Sequence, residues 1–254
     1  MKLDKPVTDG PCWTELGTSD LEAAGRFYAD LFGWRTRTDP RQEASGYTVA
    51  RLGDAPVAAM SPRYQDTQPV AWNVAFSVTD ADKAAEAVRE AGGTVILMPR
   101  DIFDAGRLTV ARDPGGAVFQ MWQPRAFTGA GVFNAPGSLG WVELLTRAPA
   151  EVTDFYTAVF GWTVHPLEEY TQWGIDGADF GGMLEMGEGF PHEVPSHWLP
   201  YFAVEDVDLT ADAAVRAGGI VLTQPTTVPH GPRIAILKDP QGALFGVHAV
   251  DHEH

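Results

Sequence analysis

The sequence has one cysteine, no long apolar run and few basic residues. Cys12 stands alone among 254 residues, so an internal disulfide is excluded, as is usual in a reducing compartment. No stretch approaches the roughly 20 consecutive apolar residues that a membrane helix needs. Residues 1–10 lack the apolar core of a secretory signal. We therefore expect a cytoplasmic protein with no membrane partner.

Basic residues are outnumbered almost two to one by acidic residues. The chain has 18 Lys and Arg against 34 Asp and Glu, and its formal net charge is −16. Such a charge repels phosphate backbones, so we expect no nucleic-acid partner. Hydrophobic residues make up 44% of the chain and charged residues 20%. That composition predicts folded cores and excludes a disordered chain.

The most prominent feature of the sequence is an internal repeat. Phe27-Tyr28 returns as Phe155-Tyr156, 128 residues later, and Asp113-Pro114 returns as Asp239-Pro240, 126 residues later. This period is too long for a solenoid repeat and indicates two homologous domains in tandem. The repeat predicts a first domain over 1–123, a Gly-, Pro- and Ala-rich linker over 124–138, and a second domain over 139–254.

Each half of the sequence predicts two copies of a β-α-β-β-β module. Apolar residues at three- and four-residue steps predict a helix over about Asp20–Phe32, which Gly33 ends. The same pattern predicts a helix that starts within 79–82 and runs to Ala91, and two more over 149–160 and 207–217. Short apolar segments between the helices predict strands. The fold class is therefore α+β, and the sequence leaves open which modules pair with each other.

The module order, the Phe-Tyr pairs and the Asp-Pro-x-Gly turns resemble the vicinal oxygen chelate superfamily. That superfamily includes glyoxalase I, extradiol dioxygenases, and fosfomycin- and bleomycin-resistance proteins. The resemblance runs from about Pro11 to Val250, and Gly17–Trp34 and Arg112–Trp122 carry it best. It implies four β-α-β-β-β modules that form two cup-shaped, glyoxalase-like domains. The tandem form is similar to actinobacterial proteins described as hydroxylase-like or glyoxalase-like.

Enzymes of that superfamily bind a divalent metal through His, Gln or Glu on strands that line each cup. Counting from the helix-start aspartates and the Asp-Pro-x-Gly turns puts these positions on Trp13, Asn73 and Gln120, and on Trp141, Leu199 and Gly246, with Ala59 and Glu185 for the remaining strand. Tryptophan offers no lone pair to a metal. We therefore expect no metal and no other cofactor.

The alternative to a metal-free chain is a metal site whose ligands are shifted by two residues along their strands. Strand alternation keeps Glu143, His197 and His248 on the inner face. The two histidines are displaced in opposite senses, so about 13 Å separates them at ordinary strand rise. That distance is too long for one ion.

Two glutamates are the candidate catalytic residues. Glu15 and Glu143 each follow a tryptophan by two positions. Either is suited to act as a general base or to accept a ligand hydrogen bond. The alternative is a structural carboxylate bonded to linker backbone or to an arginine, Arg107 or Arg233.

Nine residues are candidates for ligand binding. They are Trp13, Asn73, Arg107, Gln120, Trp122, Trp141, His197, Arg233 and His248. Arginines would hold a carboxylate or phenolate. Tryptophans would stack on a planar ligand, or else belong to the core.

These residues favour a protein that binds an aromatic or amphipathic small molecule without the usual metal. The alternative is an enzyme of natural-product metabolism: a metal-dependent lyase, isomerase or dioxygenase, or a cofactor-free catalyst. A third possibility is an interaction protein whose cups are filled by side chains. Because fusion already supplies the two-fold arrangement, we expect a monomer or a weak homodimer.

Overall fold

A computed structural model describes residues 6–229 and 231–250, so the tail His252-Glu253-His254 lies outside the described residues. The first module contains β1 (Pro11–Thr18), α1 (Leu21–Phe32), β2 (Arg35–Thr38), a 3-10 turn (Gln42–Ala44), β3 (Thr48–Leu52) and β4 (Ala55–Pro62). The second contains β5 (Ala71–Ser77), α2 (Ala81–Glu90), β6 (Thr94–Ile102), β7 (Gly106–Arg112) and β8 (Val118–Pro124).

The second repeat has the same element order. The third module contains β9 (Leu139–Thr146), α3 (Pro149–Phe160), β10 (Thr163–Pro166), β11 (Thr171–Ile175) and β12 (Ala178–Glu185). The fourth contains β13 (His197–Val204), α4 (Val207–Arg216), β14 (Ile220–Thr227), β15 (Arg233–Lys238) and β16 (Leu244–Ala249). In the part of the chain that the structure describes, no helix is long and apolar enough to cross a membrane.

Each repeat forms one eight-stranded mixed sheet. The strand order is β2-β3-β4-β1-β5-β8-β7-β6 in the first repeat and β10-β11-β12-β9-β13-β16-β15-β14 in the second. The inner pairs β1–β4 and β5–β8 are parallel, whereas the outer strands pair antiparallel. This order confirms the predicted α+β class and the four modules.

Local sequence signals set the helix limits. Asp20 caps α1 by accepting the Ala23 N–H at 2.9 Å, and Gly33 ends it in the left-handed region at φ 71°. The strand Arg35–Thr38 had no sequence signal, because all four of its residues are exposed and show no apolar alternation.

Close packing divides the described chain into two compact units, each built from both repeats. The central unit comprises 6–13, 73–129 and 142–199, so it joins the second and third modules. The terminal unit comprises 14–72, 130–141, 200–229 and 231–250, so it joins the first and fourth. The domain limits 1–123 and 139–254 stay a prediction about the sequence repeats; packing follows a different division.

The two motifs that carry the resemblance contact each other inside each unit. In the terminal unit, the Tyr28 hydroxyl donates to Asp239 Oδ2 at 3.0 Å and accepts the Trp72 indole N–H at 2.9 Å. In the central unit, the twin Tyr156 donates to Asp113 Oδ2 at 2.8 Å. Each bond joins one repeat to the other, and each tyrosine is buried among aromatic side chains. These motifs therefore stabilise the pairing of modules.

Candidate functional site

Glu15 lies on the face of β1 that is turned away from the helix. Its neighbour Leu16 is fully buried in the terminal-unit core, and successive strand residues point to opposite faces. The Ser61 hydroxyl on β4 donates to Glu15 Oε1 at 2.9 Å. Burial raises the pKa of the half-buried Glu15 carboxyl, and the Ser61 bond partly opposes that rise. A carboxylate in this setting is suited to accept a proton or a hydrogen bond.

Glu143 has a more enclosed environment in the central unit. It is 8% exposed, and it pairs across β9–β12 with Gly182. The ring of Tyr170 occupies the space that a side chain at Gly182 would need. The Tyr170 ring therefore lies at the residue opposite Glu143 on β12.

Four further candidates share the central unit. Asn73 on β5 and Gln120 on β8 are half-buried, and Gln120 lies on a strand that pairs in parallel with β5. Trp13 and Trp122 are buried, and both contact the ring of Phe127, at centroid distances of 4.8 and 6.1 Å. The Trp122 N–H also donates to the Phe127 carbonyl at 2.9 Å. Packing with Phe127 favours the core interpretation for these two tryptophans.

The alternative in which Arg107 or Arg233 pairs with an internal glutamate is wrong. Arg107 Nε donates to Asp82 at 2.8 Å, and its Nη1 donates to Asp101 at 3.0 Å. Arg233 pairs with Asp208 in the same way. In both cases, the arginine on the second-last strand of a module meets an aspartate in the first turn of that module's helix. The ion pairs reach the helix surface rather than Glu15 or Glu143.

The two candidate histidines are each fixed by a backbone carbonyl. His197 Nδ1 lies 2.8 Å from the Pro195 carbonyl oxygen, so this nitrogen is the donor. Burial lowers the pKa of His197, and the Pro195 bond opposes that change. His248 Nδ1 lies 2.9 Å from the Ala249 carbonyl oxygen, and its ring packs over Gly140. Both rings therefore have a defined tautomer.

The shifted metal site is incompatible with the strand register. His248 on β16 lies opposite Ala203 on β13, and His197 is six residues earlier on that strand. The register therefore offsets His197 by six residues from the position opposite His248. The predicted offset of four residues between the two histidines is therefore wrong.

The other family ligand positions offer few metal donors. Trp141 is half-buried on β9, and Leu199 is buried. The ring of Tyr201 lies over Gly246, Ala59 is buried, and the Glu185 side chain is exposed. Among the described residues, no group of three or more His, Cys, Asp or Glu has a geometry that could hold a metal ion. The residues present do not fit the metal of the family.

The sequences of both repeats match the model of a known family. The model of the Glyoxalase/Bleomycin resistance protein/Dioxygenase superfamily matches residues 11–121 and 138–247. The chain therefore belongs to that superfamily, in a tandem form.

Two relatives align with most of this chain. CFP32 of Mycobacterium tuberculosis, which has a provisional name as a glyoxylase, is 40% identical over 246 residues, with 93% of each chain covered. DnrV of Streptomyces peucetius, named as an anthracycline biosynthesis protein, is 37% identical over 255 residues, covering 93% of this chain and 92% of its own.

Solved structures show the same fold at low identity. The 2,3-dioxygenase LapB from Pseudomonas sp. KL28 matches with a TM-score of 0.69 at 16% identity, covering 98% of this chain and 95% of its own. The Mn(II)-bound glyoxalase from Novosphingobium aromaticivorans matches with a TM-score of 0.69 at 15% identity, covering 98% and 84%.

Sequence reasoning missed Ser61 and Tyr64, which accompany Glu15. Ser61 bonds the carboxylate directly, and Tyr64 is close enough for the charge of Glu15 to raise the pKa of its phenol. No sequence signal marks Ser61, because its twin can be identified only from the strand register. The parallel register makes Leu184 its counterpart, so the two repeats differ in chemistry at this position.

Proposed function

We propose that this protein binds a small aromatic or amphipathic molecule and does so without the divalent metal of its superfamily. The observation that carries the proposal is the set of side chains at the family's ligand positions. Trp13 and Trp141 replace donors on the first strands, and Leu199 and Gly246 replace them in the second repeat. A divalent metal needs several nitrogen, oxygen or sulfur donors around one point.

Half-buried polar side chains support a binding role. Glu15, Asn73 and Gln120 are only partly enclosed. Ligand sites combine apolar walls with a few such polar groups. DnrV is named for anthracycline biosynthesis, and anthracyclines are aromatic polyketides, so this relative supports an aromatic natural product as the ligand.

The experiment is a binding screen with planar aromatic compounds of one to four rings. Tryptophan fluorescence and titration calorimetry would measure dissociation constants for the whole chain, with and without EDTA. We expect at least one compound to bind at micromolar or tighter concentration, with the same affinity in both buffers. Binding that EDTA abolishes and a divalent metal restores would contradict the proposal.

A pair of substitutions locates the binding surface. Gln120→Leu removes a half-buried amide on β8, and Gln224→Leu removes an exposed one on β14. We expect Gln120→Leu to change the dissociation constant by about fivefold or more, in keeping with the loss of one hydrogen bond. Gln224→Leu is the control and should change nothing. Equal effects of the two substitutions on the dissociation constant would show that the ligand binds elsewhere.

A further inference from the structure

The two repeats differ in the residues of the strand that pairs in parallel with the glutamate strand. On the first sheet, β1 and β4 run parallel, with Glu15 opposite Ala59 and Gly17 opposite Ser61. On the second sheet, Glu143 is opposite Gly182 and Leu145 is opposite Leu184. Gly17 and Ser61 therefore correspond to Leu145 and Leu184 in the second repeat. Glu15 has the Ser61 hydroxyl two residues along the neighbouring strand, where the second repeat has Leu184.

The loop after β4 is held against β1 beside Glu15. The Tyr64 backbone N–H donates to Gln68 Oε1 at 2.9 Å, and the Gln68 amide nitrogen packs against Gly17, where a side chain would crowd it. Arg63 fastens the same loop, since its Nη1 donates to the Gln68 carbonyl at 3.2 Å. The loop thus has a defined position in the terminal unit.

Tyr64 lies near Glu15 and is exposed to solvent. Tyr64 is 59% exposed, yet burial of part of the phenol and the negative charge of Glu15 raise its pKa, while the nearby Ser61 hydroxyl lowers it. The Ser61 hydroxyl has one proton, which it donates to Glu15. Glu15 and its partner Ser61 therefore lie near the exposed phenol of Tyr64.

We propose that Glu15, Ser61 and Tyr64 form a single-copy recognition site for an acidic hydroxyl, such as a phenol or enol, on a neutral aromatic ligand. The ligand hydroxyl donates to the Glu15 carboxylate, whose two oxygens offer about four acceptor sites. Ser61 is the positioning residue that holds this carboxylate in place. The exposed ring of Tyr64 flanks the ligand. This inference rests on the proposed function and names the ligand class for it.

The test uses matched ligands that differ in one proton donor. The probes are 2-naphthol with 2-methoxynaphthalene, and 2-hydroxyanthraquinone with 2-methoxyanthraquinone. Titration calorimetry on the whole chain at neutral pH would give the four dissociation constants. We expect each hydroxyl compound to bind about tenfold or more tightly than its methoxy partner, because a hydrogen bond to a charged group is among the stronger ones.

Three substitutions assign the preference to residues. Glu15→Gln should abolish the hydroxyl preference, whereas the twin Glu143→Gln should retain it. Ser61→Ala should shift the preference to higher pH, because the Ser61 bond holds the pKa of Glu15 down, and Tyr64, the titratable neighbour of Glu15, stays protonated over that range. Urea unfolding and circular dichroism would confirm that every variant is folded. If Glu15→Gln does not fold, the pH shift in Ser61→Ala decides.

The outcomes separate this inference from the proposed function. Equal binding of hydroxyl and methoxy compounds to the unaltered chain would overturn the inference and leave aromatic binding intact. Loss of preference in Glu143→Gln instead of Glu15→Gln would also overturn it. Failure of every compound to bind, here and in the wider aromatic screen, would overturn the proposed function and the inference together.

Discussion

Replacing Tyr28 by Phe should destabilise the protein by about 2–4 kcal/mol. The Tyr28 hydroxyl is buried, accepts the Trp72 N–H and donates to Asp239. Without that oxygen, two buried polar groups lose a partner, and each loss costs about 1–3 kcal/mol. The cost at Asp239 should be at the low end, because its other oxygen still accepts backbone N–H groups, among them that of Gly242 at 2.7 Å.

The assay is urea unfolding at pH 7, followed by circular dichroism and tryptophan fluorescence. Arg26→Ala is the surface control: its ion pair with Glu22 is largely exposed, so about 0.5 kcal/mol or less should be lost. Combining Tyr28→Phe with Trp72→Phe should cost less than the two losses added together, because both substitutions break the same bond. If Tyr28→Phe loses no more than the surface control, the reasoning is refuted.

Three other predictions follow from the contacts. Arg107→Ala should lose about 1 kcal/mol or less in urea unfolding and leave aromatic binding unchanged, since its ion pairs lie at the surface; a large loss of affinity would contradict this. Burial raises the pKa of Glu15 above the ordinary 4.5, so the folded state binds the proton more tightly, and stability should fall as pH rises from about 4.5 through the raised pKa. Glu15→Gln should flatten that slope; an unchanged slope across a pH series of unfolding curves would show the assignment to be wrong. Fragments 1–128 and 129–254 should be poorly folded apart and regain the native spectrum on mixing, because the buried Tyr–Asp bonds join the repeats; two stable separate monomers would disprove this.

The elements could be predicted because their signals are local. Asp20 and Gly33 mark the two ends of α1 within a few residues of sequence, and both features occur as expected. The repeat then extended each local prediction to its twin. The exposed edge strand at Arg35–Thr38 lacks such a signal, because neither face of it is buried.

The pairing of modules depends on contacts between residues far apart in sequence. Tyr28 and Asp239 are 211 positions apart, and no periodic pattern connects them. Each residue was visible as part of a motif, but only the folded chain shows that the motifs bind each other. The same limit applied to Arg107, whose aspartate partners come from a helix turn and a neighbouring strand.

The Glu15 surroundings were predicted in part. Strand alternation put Glu15 on the side of β1 opposite the core residue Leu16. The partner Ser61 depends on the parallel register of β1 with β4, and Tyr64 depends on the conformation of the following loop. Neither the register nor the loop is encoded in a short motif, so both residues escaped notice.

Metal content, measured by inductively coupled plasma mass spectrometry, tests the central claim most directly. The protein would be purified without chelator, supplemented in separate samples with iron, zinc, manganese or nickel, and desalted before measurement at known protein concentration. The account predicts far less than one metal ion per chain in every sample, with aromatic binding unaffected. One tightly held ion per chain, together with ligand binding that depends on it, would contradict the account.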